Sequence, residues 1–218
     1  MIMTTILGLV KHIRSLIWLL LLMMLTACTL LPEPSPVTFY RLPPSHLMSA
    51  SVFAAGLPRA ITLRVNQPET SGLLSGNRIA VIPGPNQLSV YQGARWAASV
   101  PVLFRDLLID TWQQQGKIQH IISDSEALQA DIELRGTLRA FYSEYQQGRP
   151  VVVIHFDAQL VDPRSRTILA SRRFAVNEVS PTTDVAAVVA AFGIAHARLA
   201  NEMLGWLLAV NISDRHQQ

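Results

Sequence analysis

Residues 130–143, ADIELRGTLRAFYS, decide the fold class, because their side chains alternate. Ile132, Leu134, Leu138 and Ala140 take the even positions, and Asp131, Glu133, Arg135, Thr137 and Arg139 the odd ones. A period of two belongs to a strand with one dry and one wet face. Val152, Ile154, Phe156, Ala158 and Leu160 repeat the pattern opposite His155, Asp157 and Gln159. The turn Asp162-Pro163-Arg164-Ser165 returns the chain into residues 167–176. The three segments read as an antiparallel meander.

Two helices flank this meander in the chain. Val100, Leu103, Phe104, Leu107, Leu108 and Trp112 recur with the period of a helix, while Arg105, Asp106, Asp110 and Gln113 take the other side. Ser99 is placed to cap that helix, Pro101 fits its first turn, and Gly116 ends it. A longer helix is expected over residues 184–210, entered through Ser180-Pro181. Val185, Phe192, Leu199 and Trp206 are spaced by seven, as are Val189, His196, Met203 and Val210, and together they form one apolar stripe. Ala186, Ala187, Ala190, Ala191, Ala195, Ala197 and Ala200 keep this helix thin enough for close approach. The expected class is α+β: an antiparallel sheet with two main amphipathic helices packed on it.

Upstream of the first helix, residues 37–42 and 60–65 read as short strands, stopped by Pro43-Pro44 and Pro68. Residues 45–58 read as a loop. Residues 78–82 and 87–91 flank Pro83-Gly84-Pro85-Asn86 and form a hairpin, after which come Gly93-Ala94-Arg95-Trp96. Trp96 is expected to pack the helix start onto the sheet, with Arg95 stacking or pairing nearby.

The N-terminus has a different character. Lys11 and Arg14 precede an unbroken apolar run over residues 16–25, long enough for a signal-peptide core but short for a membrane span. Small Thr26 and Ala27 then lead into Cys28, the single cysteine of the chain. Leu25-Thr26-Ala27-Cys28 resembles the lipobox of bacterial lipoproteins, in which the thiol is alkylated with diacylglycerol and the chain is cut before the cysteine. This implies a signal peptide over residues 1–27, lipidation at Cys28 and a domain over residues 37–218. Between them, Pro32, Pro34 and Pro36 make residues 28–36 an extended tether. Thr29, where lipoproteins held at the inner membrane often carry Asp, points to export to the outer membrane.

Removing 27 of the 218 residues leaves 191, enough for one domain with a sizeable core. Two of the 18 basic residues lie in the removed segment, leaving 16 against 15 acidic, which argues against a nucleic-acid partner. With its thiol acylated, the mature chain forms no disulfide.

Patterns that carry chemistry are missing. There is no G-x-S-x-G elbow, phosphate-binding glycine loop or H-E-x-x-H helix. A metal site would need the distant His46, His120, His155 or His196 to converge, so no metal or cofactor is assigned. His155, Asp157 and Ser165 could be arranged as a hydrolase triad, but a solvated sheet face with a turn serine is the simpler reading. His196 reads as a packed core histidine, and Arg164, Arg166, Arg172 and Arg173 as a solvated hairpin rim. No catalytic residue is assigned, and no enzymatic activity is expected.

Cys28, Phe39-Tyr40-Arg41-Leu42 and Gly93-Ala94-Arg95-Trp96 together resemble the ABC-type transport auxiliary lipoprotein family. Ser171-Arg172-Arg173-Phe174 and a closing helix with Ala191-Phe192, Ala195 and Trp206 agree with it. Ala94-Arg95-Trp96 is the most specific piece, and Gly193 departs from the polar residue expected after Ala-Phe. The resemblance implies a lipoprotein on the periplasmic face of the outer membrane, beside MCE-domain proteins and ABC-type lipid transporter components. It implies a non-enzymatic role in carrying lipid between membranes, by docking the assembly or as a lipid-carrying or lipoprotein-handling module with its own apolar cavity. Homo-oligomerisation is left open. Cys28 transfers as the modified residue, with Arg95 and Trp96 as partner-facing or structural candidates.

Overall fold

The computed structural model describes residues 14–19, 36–43 and 57–210. The chain divides into two units, Met1–Pro36 and Val37–Gln218. In the first, residues 14–19 are helical and exposed. Cys28, the tether up to Ser35, His46 and most of the expected loop lie outside the described residues.

The second unit contains strands β1 (Thr38–Tyr40), β2 (Arg59–Val65), β3 (Arg78–Gly84) and β4 (Gln87–Trp96). Helix α1 (Val100–Gln115) follows, then β5 (Ile118–Ser123), β6 (Ile132–Gln146), β7 (Arg149–Asp162), β8 (Thr167–Val179) and α2 (Val185–Ala209). The expected α+β class holds, with both long helices where the periodicity placed them.

Strand β6 is the spine of the sheet. One edge pairs with β7 along nearly its whole length, from Glu133↔Val161 to Gln146↔Arg149. The other edge is shared, taken by β2 near its start (Leu63↔Ile132) and by β3 near its end (Val81↔Ser143). Strands β4 and β1 continue the sheet beyond β3, β5 continues it beyond β2, and β8 beyond β7.

The meander and the β3–β4 hairpin are antiparallel, as expected. The sheet as a whole is mixed, because β1–β4, β2–β5, β2–β6 and β3–β6 are parallel. Parallel partners cannot be joined by a tight turn, so each such pair is separated by a long stretch of chain. Local periodicity carries no signal of them. Strand β5 was not expected at all. Its buried Ile118, Ile121 and Ile122 break alternation. Strand β4 runs on through Gly93-Ala94-Arg95-Trp96, which are therefore strand and not linker.

The alternation read from residues 130–143 holds through Leu138 and then changes parity. Leu138 faces Phe156, but Ala140 faces His155, so one residue is bulged out between them. The bulge turns Phe141 into the core, where its ring lies 4.8 Å from Phe192 and 5.9 Å from Trp96.

Both helices cover one sheet face. Gly116, at φ 61°, closes α1 by donating its backbone N–H to the carbonyls of Trp112 and Gln113. Ser99 occupies the cap position without a side-chain capping bond. The alanines of α2 let α1 approach, and Trp112 Nε1–H donates to the Ala200 carbonyl at 2.9 Å. Arg59 reaches from the start of β2 to the end of α2, donating to the carbonyls of Leu207 (3.1 Å) and Val210 (2.9 Å).

Two glycines mark close approaches. A Cβ on Gly136 would stand 2.2 Å from the Asp157 carbonyl oxygen and 2.5 Å from the Phe156 ring. Only glycine leaves room for that ring. A Cβ on Gly193 would stand 3.0 Å from the Pro43 carbonyl oxygen. The departure from a polar residue at Gly193 thus has a steric reason: the chain leaving β1 crosses α2 there.

Candidate docking surface

Trp96 and Arg95 are adjacent in β4, so their side chains leave opposite faces of the sheet. Trp96 is fully buried and meets Phe192 edge-on at 5.2 Å. Phe104 extends the aromatic cluster, 6.5 Å from Phe141 and 5.0 Å from Phe156. The indole N–H of Trp96 has no hydrogen-bond partner among the described residues. Trp96 thus sits in the aromatic core between Phe141 and Phe192.

His196 lies in the same core. Its Nε2–H donates to the Phe104 carbonyl at 3.3 Å, and its ring meets the Phe104 ring edge-on at 5.2 Å. Burial pushes the imidazole down to about 4, with the Phe104 bond acting weakly against it. The histidine is neutral and packed.

The helix-free face is built from charges. Glu133 is buried, yet it accepts from Arg64 Nη1 at 3.0 Å and from Arg135 Nε at 2.8 Å. Asp157 accepts from Arg173 Nε at 2.5 Å and from Arg139 Nε at 3.0 Å. The Arg173 bond foremost, with Arg139, holds the Asp157 carboxyl down at about 2. Away from this face, Arg105 of α1 bridges Asp106 and Asp124, and the Gln67 N–H donates to Asp124 at 3.0 Å. A groove of about 590 Å³ crosses this face, lined by Asn66, Gln67, Glu69, Arg135, Arg139 and Asp157.

His155, Asp157 and Ser165 do not form a relay. The Asp157 carboxylate is taken by arginines, and Ser165 Oγ shares a hydrogen bond with Thr167 Oγ1 at 2.8 Å. Among the described residues no three His, Cys, Asp or Glu side chains converge on a metal site. Of the expected basic rim, Arg173 holds Asp157, Arg172 stacks 5.0 Å over the Phe174 ring, and Arg164 lies 3.8 Å from Asp131. Sequence reasoning missed Glu133 as a buried carboxylate. Its signal was Arg135, two residues along the same strand and on the same face.

Arg95 lies in register with exposed Phe39 of β1 and with Arg78 of β3. The parallel β1–β4 pairing that completes this row could not be read from local pattern.

A small α+β domain with an aromatic core and an arginine-rich open face is the class these features define. The chain belongs to the family described as ABC-type transport auxiliary lipoprotein component, whose model matches residues 40–204. A solved Xanthomonas campestris protein shares 30% identity at a TM-score of 0.70, over 83% of this chain and 100% of that one. A second solved structure, of an uncharacterised protein, shares the fold at 18% identity and a TM-score of 0.62, covering 79% of this chain and 99% of that one. An uncharacterised Bradyrhizobium diazoefficiens protein is 32% identical over 68% of this chain, and the match spans 40% of that longer relative.

Proposed function

We propose that this protein is a lipid-anchored, non-catalytic docking component of an MCE-domain, ABC-type lipid transport system. Cys28 carries the anchor at the periplasmic face of the outer membrane, and residues 29–36 set how far the domain reaches from it. The observation that carries this reading is the family match, which begins at Tyr40, twelve residues beyond the lipobox cysteine. The polar face supports it. Asp157 and Glu133 each hold two arginines, an arrangement that fixes a surface instead of poising a base or a nucleophile.

Cys28→Ala tests the anchor. More than one acyl chain is needed for stable attachment, so the variant is expected as an unprocessed or mislocalised precursor. Density-gradient separation of the membranes should place the wild-type protein with outer-membrane markers, together with its transport partners after detergent extraction. Wild-type mass and location for the variant would overturn the anchor, and enrichment with inner-membrane markers would overturn the location. Stoichiometric phospholipid in the purified domain would favour a lipid carrier over a docking part.

A further inference from the structure

We infer that the helix-free face at the β1–β4–β3 edge is a contact surface for an anionic phospholipid leaflet, made by Phe39, Arg41, Arg78 and Arg95. The inference rests on the anchored reading of Cys28 and adds a second attachment to it.

The geometry begins with register. Phe39 is the Cα partner of Arg95, and Arg95 is the Cα partner of Arg78, so three neighbouring strands place these side chains in one row. Trp96, the next residue of β4, packs against Phe192 of α2, so the row lies on the face away from the helices. Phe39 is 61% exposed. Val37, two residues before it, and Arg41, two residues after, are exposed as well.

Among the described residues the charges of this row are uncompensated. Among the described residues Arg64, Arg105, Arg135, Arg139, Arg173 and Arg198 are each held by a carboxylate. No ion pair or side-chain hydrogen bond engages Arg41, Arg78 or Arg95 among those same residues. Arg78 and Arg95 also stand directly opposite each other on antiparallel strands, where like charges repel. A phosphate between them turns that repulsion into two charge-assisted contacts. An exposed phenyl ring beside unpaired guanidinium groups is the composition of an interfacial membrane contact: the ring enters the headgroup boundary and the arginines meet phosphates.

Reach selects the leaflet over a distant partner. Eight residues, Thr29 to Pro36, separate Cys28 from Val37. A segment of eight residues reaches roughly 25 Å at about 3.1 Å per residue. The row starts where that tether ends, so the anchor presents it to the membrane at high effective concentration.

A fluorophore sensitive to polarity tests this, attached at Phe39→Cys in the lipidated protein, where the acylated Cys28 cannot react. The protein is reconstituted into phosphatidylcholine vesicles with or without phosphatidylglycerol. A blue-shifted, brighter signal is expected only with phosphatidylglycerol, and it should fall at high salt. Each arginine is expected to strengthen partitioning about five-fold near an anionic surface. Arg78→Gln with Arg95→Gln should therefore weaken it roughly 25-fold. A label that stays in water on anionic vesicles overturns the inference. So does a label buried only when the protein partners are added, which would make the row a protein interface. Failure of the anchor is read separately, as an unacylated mass. In that case the same label on a Cys28→Ser chain, offered to the vesicles from solution, still reads the patch.

Discussion

The two faces of the sheet are built from alternate residues of the same strands, and they are held by different forces. On the helix side, Trp96, Phe104, Phe141, Phe156, Phe192 and His196 form a dry cluster in which shape is decisive. On the other side Arg64, Glu133, Arg135, Arg139, Asp157 and Arg173 are tied by charge, with Glu133 buried beneath its arginines and the rest at least partly open to water. Stability is therefore concentrated on one face, and the other can change with little effect on the fold.

The largest expected effect is on the dry face. Trp96→Ala removes the ring that joins β4 to Phe141 and Phe192, and should cost about 3–5 kcal/mol in chemical denaturation. An unchanged midpoint would mean that Trp96 acts at a partner surface and that the contrast between the faces is misplaced.

Acid acts on the same face through His196. Its folded pKa, about 4, lies below the ordinary value of 6.5. The unfolded chain therefore binds a proton that the folded chain refuses between pH 6.5 and 4. Stability should be full above about pH 6.5 and decline as pH falls, by up to about 3 kcal/mol at pH 4. His196→Gln should flatten that slope across the window, as measured by denaturation at several pH values. A slope identical to wild type would assign the acid sensitivity elsewhere.

The smallest effect belongs to the wet face. The Asp157 carboxyl, held low, contributes stability present above about pH 4 and lost as pH falls towards 2. Its arginine partners are largely exposed, so solvent screens the pairs, and Asp157→Asn should cost less than about 1 kcal/mol. A loss as large as that of Trp96→Ala would erase the distinction between the faces.

The sequence made some of this legible and hid the rest for physical reasons. The meander and both helices announce themselves because each buries a stripe with its own period, and Gly116 ends α1 as its backbone demands. Parallel pairs such as Leu63↔Ile132 left no trace, since nothing in either strand encodes a partner so far along the chain. The bulge between Leu138 and Ala140 was masked because small Ala140 continues the alternation while Phe141 takes the core position. For the candidate surface, the Arg95-Trp96 pair was visible, and Trp96 could be assigned to packing. The row from Phe39 to Arg78 needed the register of three strands.

The two bonds from Arg59 to the last turn of α2 have a consequence for how the chain is finished. They close a loop of about 150 residues, and Trp112 to Ala200 closes another of 88. The meander can form from neighbours in sequence, but α2 finds its seat only after nearly all of the chain has been delivered. Until then Trp96, Phe104 and Phe141 remain uncovered, and an incomplete chain offers a sticky aromatic surface where the mature one offers a helix. A chain cut short before Ala200 would forfeit both closures together and leave those rings without their cover.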